Sequence, residues 1–262
     1  MNLLIDIGNT HTVAGWISSE KWNPKTEFKD QVRYRTDSAA TSDEYRSVLN
    51  QLFLSGPGID LGREWKTIQS VVVSSVVPML DRTLSEVFGS KLIFVDAQKK
   101  AEFRLKLPHP EQLGADRLAN VAGALALHQT PLLIVDAGTA TTFCLVDGEK
   151  NYIGGSIVPG LETSWRALQS RAAKLYSVEL RRPSTWIGNT TETQLQSGVL
   201  GGYESLIEGL SDRLISDAGP GFKNATWIAT GGIMNLLKLT PRFKIIPDLT
   251  LIGLKRYAEW NA

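Results

Sequence analysis

Two aspartates, Asp6 and Asp136, stand 130 residues apart in the same short context. Each follows an apolar run, Leu3-Leu4-Ile5 in one case and Leu133-Ile134-Val135 in the other. Each is followed two residues on by a glycine, Gly8 or Gly138, and then by hydroxyl side chains. An apolar run of this length bounded by glycine suits a strand buried on both faces. The aspartate then falls where the strand ends, and the glycine lets the backbone turn back close to a ligand. Asn9, Thr10, Thr12, Thr139, Thr141 and Thr142 supply small polar donors, which a phosphate-binding loop needs. A single Asp-x-Gly is more often a plain turn. Two copies, each between strands and each followed by hydroxyls, favour phosphate. Two such hairpins facing each other would set two carboxylates and two donor-rich loops across one cleft, equipment for a metal-bound polyphosphate. Neither a Walker A sequence nor a GxGxxG is present, so a P-loop or dinucleotide-binding fold is not indicated.

Three further segments carry candidate chemistry. Gly114-Ala115-Asp116-Arg117 opens a helix just before the second copy. Alone it reads as a capped helix with a surface ion pair. Placed between the two repeats, its carboxylate is a candidate general base and its guanidinium a candidate clamp for an anionic substrate. Gly154-Gly155-Ser156-Ile157-Val158-Pro159-Gly160 links a strand to a helix, either as a tight turn or as a place where a ligand comes close to backbone. Ala229-Thr230-Gly231-Gly232 allows the same two readings.

The elements that must position these residues follow from periodicity. Strands are expected at Asn2–Ile7, Thr12–Ser18, Gln31–Thr36, Thr67–Ser75 and Leu92–Val95. Helices are expected at Ser42–Leu54, where Tyr45, Val48, Leu49 and Leu52 recur at helical spacing, from Pro78, and at Glu111–His128. The stretch Ser55–Gly62 reads as a surface loop, as does the run up to Pro110. The second half restarts with strands at Leu132–Asp136, Thr141–Val146 and Tyr152–Ile157. It continues with helices at Leu161–Leu168 and Thr191–Ser216, a strand at Ala225–Thr230, a strand at Lys244–Ile246 and a helix from Leu249. Three strands and then alternating helix and strand, twice over, is a duplicated mixed-sheet α/β unit. The halves divide at residues 1–129 and 130–262.

Composition narrows the class. The chain of 262 residues is 42% hydrophobic and 21% charged, with a net charge of +1, ordinary values that suggest neither nucleic acid nor an anionic membrane as partner. The single cysteine, Cys144, rules out an intrachain disulfide framework and suits a reducing cytoplasm. On its predicted strand it reads as a small core residue. His11, His109 and His128 have no metal-site spacing. No apolar run reaches bilayer length, and Asp6 interrupts the only N-terminal apolar stretch, so no membrane span or signal peptide is expected.

The duplicated unit resembles the ribonuclease H-like, actin-like ATPase superfamily that includes the sugar kinases and Hsp70. Within it, several segments are similar to those of type III pantothenate kinases. They are Asp6-Ile7-Gly8-Asn9-Thr10, Gly114–Arg117, Asp136–Thr142, Gly154–Gly160, Ile187-Gly188-Asn189-Thr190-Thr191, Gln196-Ser197-Gly198 and Pro247-Asp248-Leu249-Thr250-Leu251. The resemblance implies ATP-dependent phosphorylation of pantothenate to 4′-phosphopantothenate, the first step of coenzyme A synthesis, in a cytoplasmic homodimer. It implies that Asp6, Ile7, Gly8, Asn9, Thr10, His11, Thr12 and Val13 bind ATP and its magnesium, with Asp6 holding the metal directly or through water. It also implies that Asp116 is the catalytic base, that Gly114, Ala115, Asp116, Arg117 and Thr191 bind pantothenate, that Thr139 contacts ATP, and that Asp136 holds potassium or ammonium. The stretch Leu107-Pro108-His109-Pro110 lacks the tyrosine that the family often carries there, which removes one pantothenate contact. Two other functions remain open: another small-molecule kinase of the superfamily, and a nucleotide-binding regulator that has lost turnover. A coupled ATP assay with pantothenate separates them.

Overall fold

A computed structural model of the chain describes residues 1–17, 28, 30–171 and 178–261. The chain divides into two compact units, one made of Met1–Leu127 with Asp248–Ala262 and the other of His128–Pro247.

The first unit is built on strands β1 (Asn2–Ile7), β2 (His11–Ile17), β3 (Gln31–Arg35), β4 (Ser70–Ser75) and β5 (Leu92–Phe94), in the sheet order β3-β2-β1-β4-β5. β1 pairs antiparallel with β2 and parallel with β4. The expected end of the second strand, Ser18, lies outside the described residues. Leu3, Ile5, Ile7, Ala14, Trp16, Val71 and Val73 point to one face of this sheet. There they pack against α1 (Ser42–Ser55) and α3 (Asp81–Phe88) through Tyr45, Leu49, Phe53, Leu84, Val87 and Phe88. α1 starts where a capping box starts it: the Thr41 hydroxyl accepts from Glu44 N and the Glu44 carboxylate accepts from Thr41 N. Pro78 opens a 3-10 turn to Leu80 before α3 begins. The expected loop at 55–62 ends in a short helix, α2 (Leu61–Glu64), because Asp60 caps it on Arg63 N. A two-residue strand, β6 (Arg104–Leu105), interrupts the run before Pro110.

The opposite face of this sheet carries α4 (Ala115–Leu127) and α8 (Leu249–Trp260). The helix expected from Glu111 is a 3-10 turn at Pro110–Gln112, an extended Leu113 and then α4. α8 is apolar nearly all round: Leu249, Leu251, Ile252, Leu254, Tyr257 and Ala258 are all buried. Such a helix needs partners on every side. A Cβ added at Gly253 would run into the carbonyl of Ala119, and one at Gly123 into that of Leu249. The two backbones therefore touch at glycines, which explains why α8 groups with the first unit and not with the half it follows in sequence.

The second unit repeats the frame. Its strands β7 (Leu132–Ala137), β8 (Ala140–Val146), β9 (Asn151–Pro159), β10 (Thr226–Thr230) and β11 (Phe243–Ile245) run in the order β11-β10-β7-β8-β9. Substituting each strand for its counterpart gives the order of the first sheet. Leu133, Val135, Ala137, Phe143 and Leu145 form one core with Leu161 of α5 (Leu161–Arg171) and with Tyr203 and Ile207 of α7 (Gly202–Ala218). Cys144 is buried and accepts a contact from the Tyr152 hydroxyl at 3.8 Å, the core role expected of it.

Two details depart from the expectations. Gly154 and Gly155 form no turn; they lie inside β9, opposite Leu145 and Cys144, beside a register shift. Gly155 is at φ 159 and crosses directly over the carbonyl of Phe143. Its missing side chain admits a neighbouring strand, not a ligand. The single helix expected over 191–216 is three pieces: α6 (Thr191–Gln196), a π-helical turn at Ser197–Gly201 and α7. Gly201 supports the face of Trp186, whose ring would meet an added Cβ at 2.9 Å, whereas Gly198 and Gly202 face open space.

Candidate active site

Asp6 sits at the carboxyl end of β1 on the α4/α8 face, half-buried. The register places it directly beside Val13 on β2 and Ser74 on β4. The loop beyond it is closed by Gly8 N donating to His11 O at 3.0 Å. Thr36, just past β3, pins this loop: its hydroxyl donates to Gly8 O at 2.7 Å and meets the Thr12 hydroxyl at 3.0 Å. Its N–H donates to Thr10 O at 3.0 Å. Thr12 is thereby committed to structure, being 1% exposed, while Asn9 and His11 are exposed.

Gly114-Ala115-Asp116-Arg117 lies at the same end of the first sheet. A Cβ on Gly114 would come within 3.9 Å of Val76, and Val76 N donates to Ile7 O at 3.1 Å. The candidate base and the Asp6 loop thus share one sheet end within one unit. Asp116 lies in the first turn of α4, and Arg117 N donates to its Oδ1 at 2.7 Å. Burial pushes its pKa above the ordinary carboxylate value; the hydrogen bond from Arg117 and the guanidinium charge oppose that shift without cancelling it. A half-buried carboxylate of raised basicity at a helix start is the profile of a general base. Gly114 makes room for it, since an added Cβ would stand 2.5 Å from Asp116 Oδ1.

In the second unit Asp136 occupies the matching place on β7, beside Thr142 on β8 and Thr230 on β10. Its loop is closed by Gly138 N donating to Ala140 O at 3.1 Å. The first turn of α5 holds it: Gly160 N and the Thr163 hydroxyl both donate to Thr139 O, at 3.0 and 2.7 Å. The Thr141 hydroxyl is buried against Tyr203 Oη. Gly231, at φ 113, backs directly on Ala137, so this glycine serves the strand end beneath the loop. Thr191 is the first residue of α6 and is exposed. Its helix is capped by Thr190, whose hydroxyl accepts from Thr193 N, and Gly188 lets the preceding chain pass against the backbone of Thr193 and Gln194.

Asp6, Val13, Gly114, Asp116 and Arg117 are therefore gathered in the first unit, and Asp136, Thr139 and Thr191 in the second. Sequence reasoning missed Thr36, Thr163 and Gly160 as supports of these loops, and Ser74 as the neighbour of Asp6. Ser74 is fully buried next to Asp6, and its hydroxyl has no hydrogen-bond partner among the described residues. A half-buried carboxylate beside a buried, unsatisfied hydroxyl suits a magnesium ion, which takes one or two carboxylates and fills its shell with water and phosphate oxygens. No group of three or more metal-ligating side chains occurs among the described residues, and such an ion needs none. No helix among them is long and apolar enough to cross a membrane.

The duplicated sheet, with an aspartate and a glycine turn at the same strand end in each half, defines the actin-like ATPase fold. Solved structures carry the same fold. An activator of 2-hydroxyisocaproyl-CoA dehydratase from Clostridium difficile, with bound ADPNP, superposes with a TM-score of 0.55 at 13% identity, over 98% of this chain and 94% of that one. Component A of (R)-2-hydroxyglutaryl-CoA dehydratase from Acidaminococcus fermentans gives 0.54 at 13% identity, over 100% and 99%. At the sequence level, the type III pantothenate kinase family profile matches residues 2–213. A type III pantothenate kinase from Bacillus cytotoxicus is 37% identical over 268 residues, spanning 100% of this chain and 97% of the relative. The chain belongs to the type III pantothenate kinase family.

Proposed function

We propose that this kinase transfers the γ-phosphoryl group of ATP to the 4′-hydroxyl of pantothenate, the entry step of coenzyme A synthesis. The observation that carries this reading is the joining of Asp116 to the Asp6 loop at one sheet end, in a chain of this family. Phosphoryl transfer asks for positioning and charge stabilisation more than for covalent chemistry. The loop at Asn9 and Thr10, fixed by Thr36, would present donors to the phosphate chain. Asp6 would hold magnesium, directly or through water, with Ser74 available beside it; when bound, the ion neutralises phosphate oxygens. Arg117 N–H fixes Oδ1 of Asp116 and leaves Oδ2 to accept the hydrogen bond of the attacking hydroxyl. As the new P–O bond forms and ADP departs, Asp116 takes that proton. Arg117, Gly114 and Ala115 would line the pantothenate side.

Asp136 has no part in holding magnesium in this scheme, and we assign it the monovalent cation, potassium or ammonium. Thr139 would reach ATP through its exposed side chain, since its carbonyl is already engaged by α5. A homodimer in the cytoplasm completes the reading. Ile187 is 85% exposed and Trp186 49% exposed beside Thr191, an apolar surface that a second copy would cover while bringing Thr191 to the pantothenate pocket.

The test is a coupled ADP-release assay with pantothenate, run with potassium, ammonium or sodium as the only monovalent cation. The expected result is turnover that needs pantothenate and either potassium or ammonium, lost in Asp136→Ala together with the cation response. Equal rates in sodium would remove the cation role. Nucleotide binding without turnover would favour the regulator.

A further inference from the structure

The face of the first sheet that bears Asp6 also bears two arginines. Register fixes this: Asp6 lies opposite Val13, Val13 opposite Arg33, and His11 opposite Arg35. Residues directly opposite one another across paired strands point to the same face. Val32 and Tyr34, the alternate residues of β3, pack into the core on the other face. Gln31, one step back on the arginine face, is anchored to Asp248 at the start of α8. β3 runs parallel to β1, so Arg35 stands at the end of the sheet where the Asp6 loop emerges. Both arginines are exposed, and neither makes a hydrogen bond or ion pair among the described residues.

Two guanidinium groups at i and i+2 on one strand face stand about 7 Å apart along the chain and repel each other. Edge strands do carry cations to block pairing with other chains, but a single charge does that. Here Arg33 lies about 10 Å, two strand spacings, from the aspartate expected to hold the metal, and Arg35, two residues further along, about 12 Å from it. The planar guanidinium matches phosphate oxygens bidentately. We propose that Arg33 and Arg35 form a cationic rail that receives the phosphate chain of the nucleoside triphosphate as it seats on the Asp6 loop, an inference that rests on the reading of this unit as the ATP-binding side of a kinase. The rail complements the loop: backbone donors orient the phosphates at short range, and the two fixed charges draw the polyanion in and hold it.

The experiment compares wild type with Arg33→Gln, Arg35→Gln, the double variant and Arg35→Lys. Calorimetry without pantothenate measures the affinity for magnesium ATP, magnesium ADP and adenosine, and steady-state assays give KM for ATP and for pantothenate. Each glutamine variant is expected to lose roughly 10-fold in ATP affinity and the double variant about 100-fold, the range of a charge-assisted hydrogen bond. Adenosine affinity and KM for pantothenate stay at wild-type values, Arg35→Lys keeps part of the ATP affinity, and the salt dependence of ATP binding flattens in the double variant. The proposal is overturned if the double variant binds ATP within about twofold of wild type, if adenosine affinity falls equally, or if only KM for pantothenate rises. A wild-type protein that binds ATP through these arginines yet does not phosphorylate pantothenate would remove the substrate assignment and leave the rail standing. Pantothenate turnover with undiminished ATP affinity in the double variant would do the reverse.

Discussion

The two halves of this kinase build one frame and finish it in two ways. β1 and β7 share one burial pattern residue for residue, as do β2 and β8. Their loops differ. In the first, Ile7 pairs with Thr12, so four residues make the turn; in the second, Ala137 pairs with Thr141 and three suffice. The first loop is braced from its own sheet by Thr36. The second is braced from a helix, with Gly160 and Thr163 closing on Thr139. The hydroxyls beside the two aspartates differ as well. Ser74 is buried and unsatisfied among the described residues, while Thr230 already donates to Pro247 O at 3.3 Å. An aspartate whose neighbouring hydroxyl is unsatisfied suits an arriving ligand, and one whose neighbouring hydroxyl is already engaged suits a fixed support. The starts of the two helices that share the other face of the first sheet also differ. Asp116 in α4 accepts from backbone N–H at the helix start, whereas Asp248 at the start of α8 is tied to β3 and the chain before it, accepting from both Phe28 N and Gln31 Nε2.

The hardest test of this contrast is Asp116→Asn. Turnover should fall roughly 10²–10⁴-fold, the usual range for a positioned acid–base group. Its stability should move the other way. The Asp116 pKa is raised in the folded state, so its ionised form costs stability once the pH rises through that folded value. The cost is absent below the unfolded carboxylate range. The asparagine variant should therefore melt at or above the wild-type temperature at neutral pH, with the gap closing in acid. Correspondingly, the acid limb of the wild-type kcat/KM profile should lie above the ordinary aspartate range. Near-normal turnover, or a limb at the ordinary value, would break the distinction between the two helix starts.

Glycine substitutions probe the braces. An alanine at Gly160 would collide with the backbone of Gly138 and come within 2.5 Å of Thr139 O. It should cost about 2 kcal/mol or more. At Gly8 the nearest atom to an added Cβ is His11 O at 3.1 Å, and the cost should stay below about 1 kcal/mol. Chemical denaturation measures both, and equal costs would mean that the second loop is no more rigidly held than the first. The mildest pair is Thr36→Val and Thr163→Val. Each removes one hydroxyl donor to a loop carbonyl and should lose about 1 kcal/mol. Thr36→Val should raise KM for ATP more than Thr163→Val does, because Thr36 supports the loop beside Asp6 while Thr163 holds only the carbonyl of Thr139. An equal rise in both would erase the contrast between the loops.

The strand–Asp-x-Gly–strand units were legible because they are local: buried strands announce themselves by apolar runs, and glycine marks the turn. The start of α1 was legible for the same reason, since Thr41 and Glu44 satisfy each other within four residues. Ser74, Thr36 and Thr163 were not. Their importance comes from what another strand or helix sets beside them, Asp6 for Ser74 and loop carbonyls for Thr36 and Thr163, and a serine or threonine looks alike in sequence whatever lies across from it. Gly154 and Gly155 were ambiguous because a turn, a ligand and a crossing strand all require an absent side chain. The π turn at 197–201 was invisible because the apolar spacing over 191–216 continues through it. The division of the chain at 129/130 took the repeat in sequence as the unit in space. α8 shows why that differs: its all-round apolar pattern demanded burial but could not name the unit that provides it.

That last point bears on how the molecule is made. A chain leaving the ribosome folds its segments in the order in which they become complete. The second unit, His128–Pro247, is continuous and has all its strands once its own stretch has emerged. The first unit, although synthesised earlier, lacks α8 until the whole of the second has been translated, and until then its sheet and α4 present an uncovered apolar face. The nascent protein should thus assemble its middle before its beginning, with the Asp6 loop mounted on the portion that matures last.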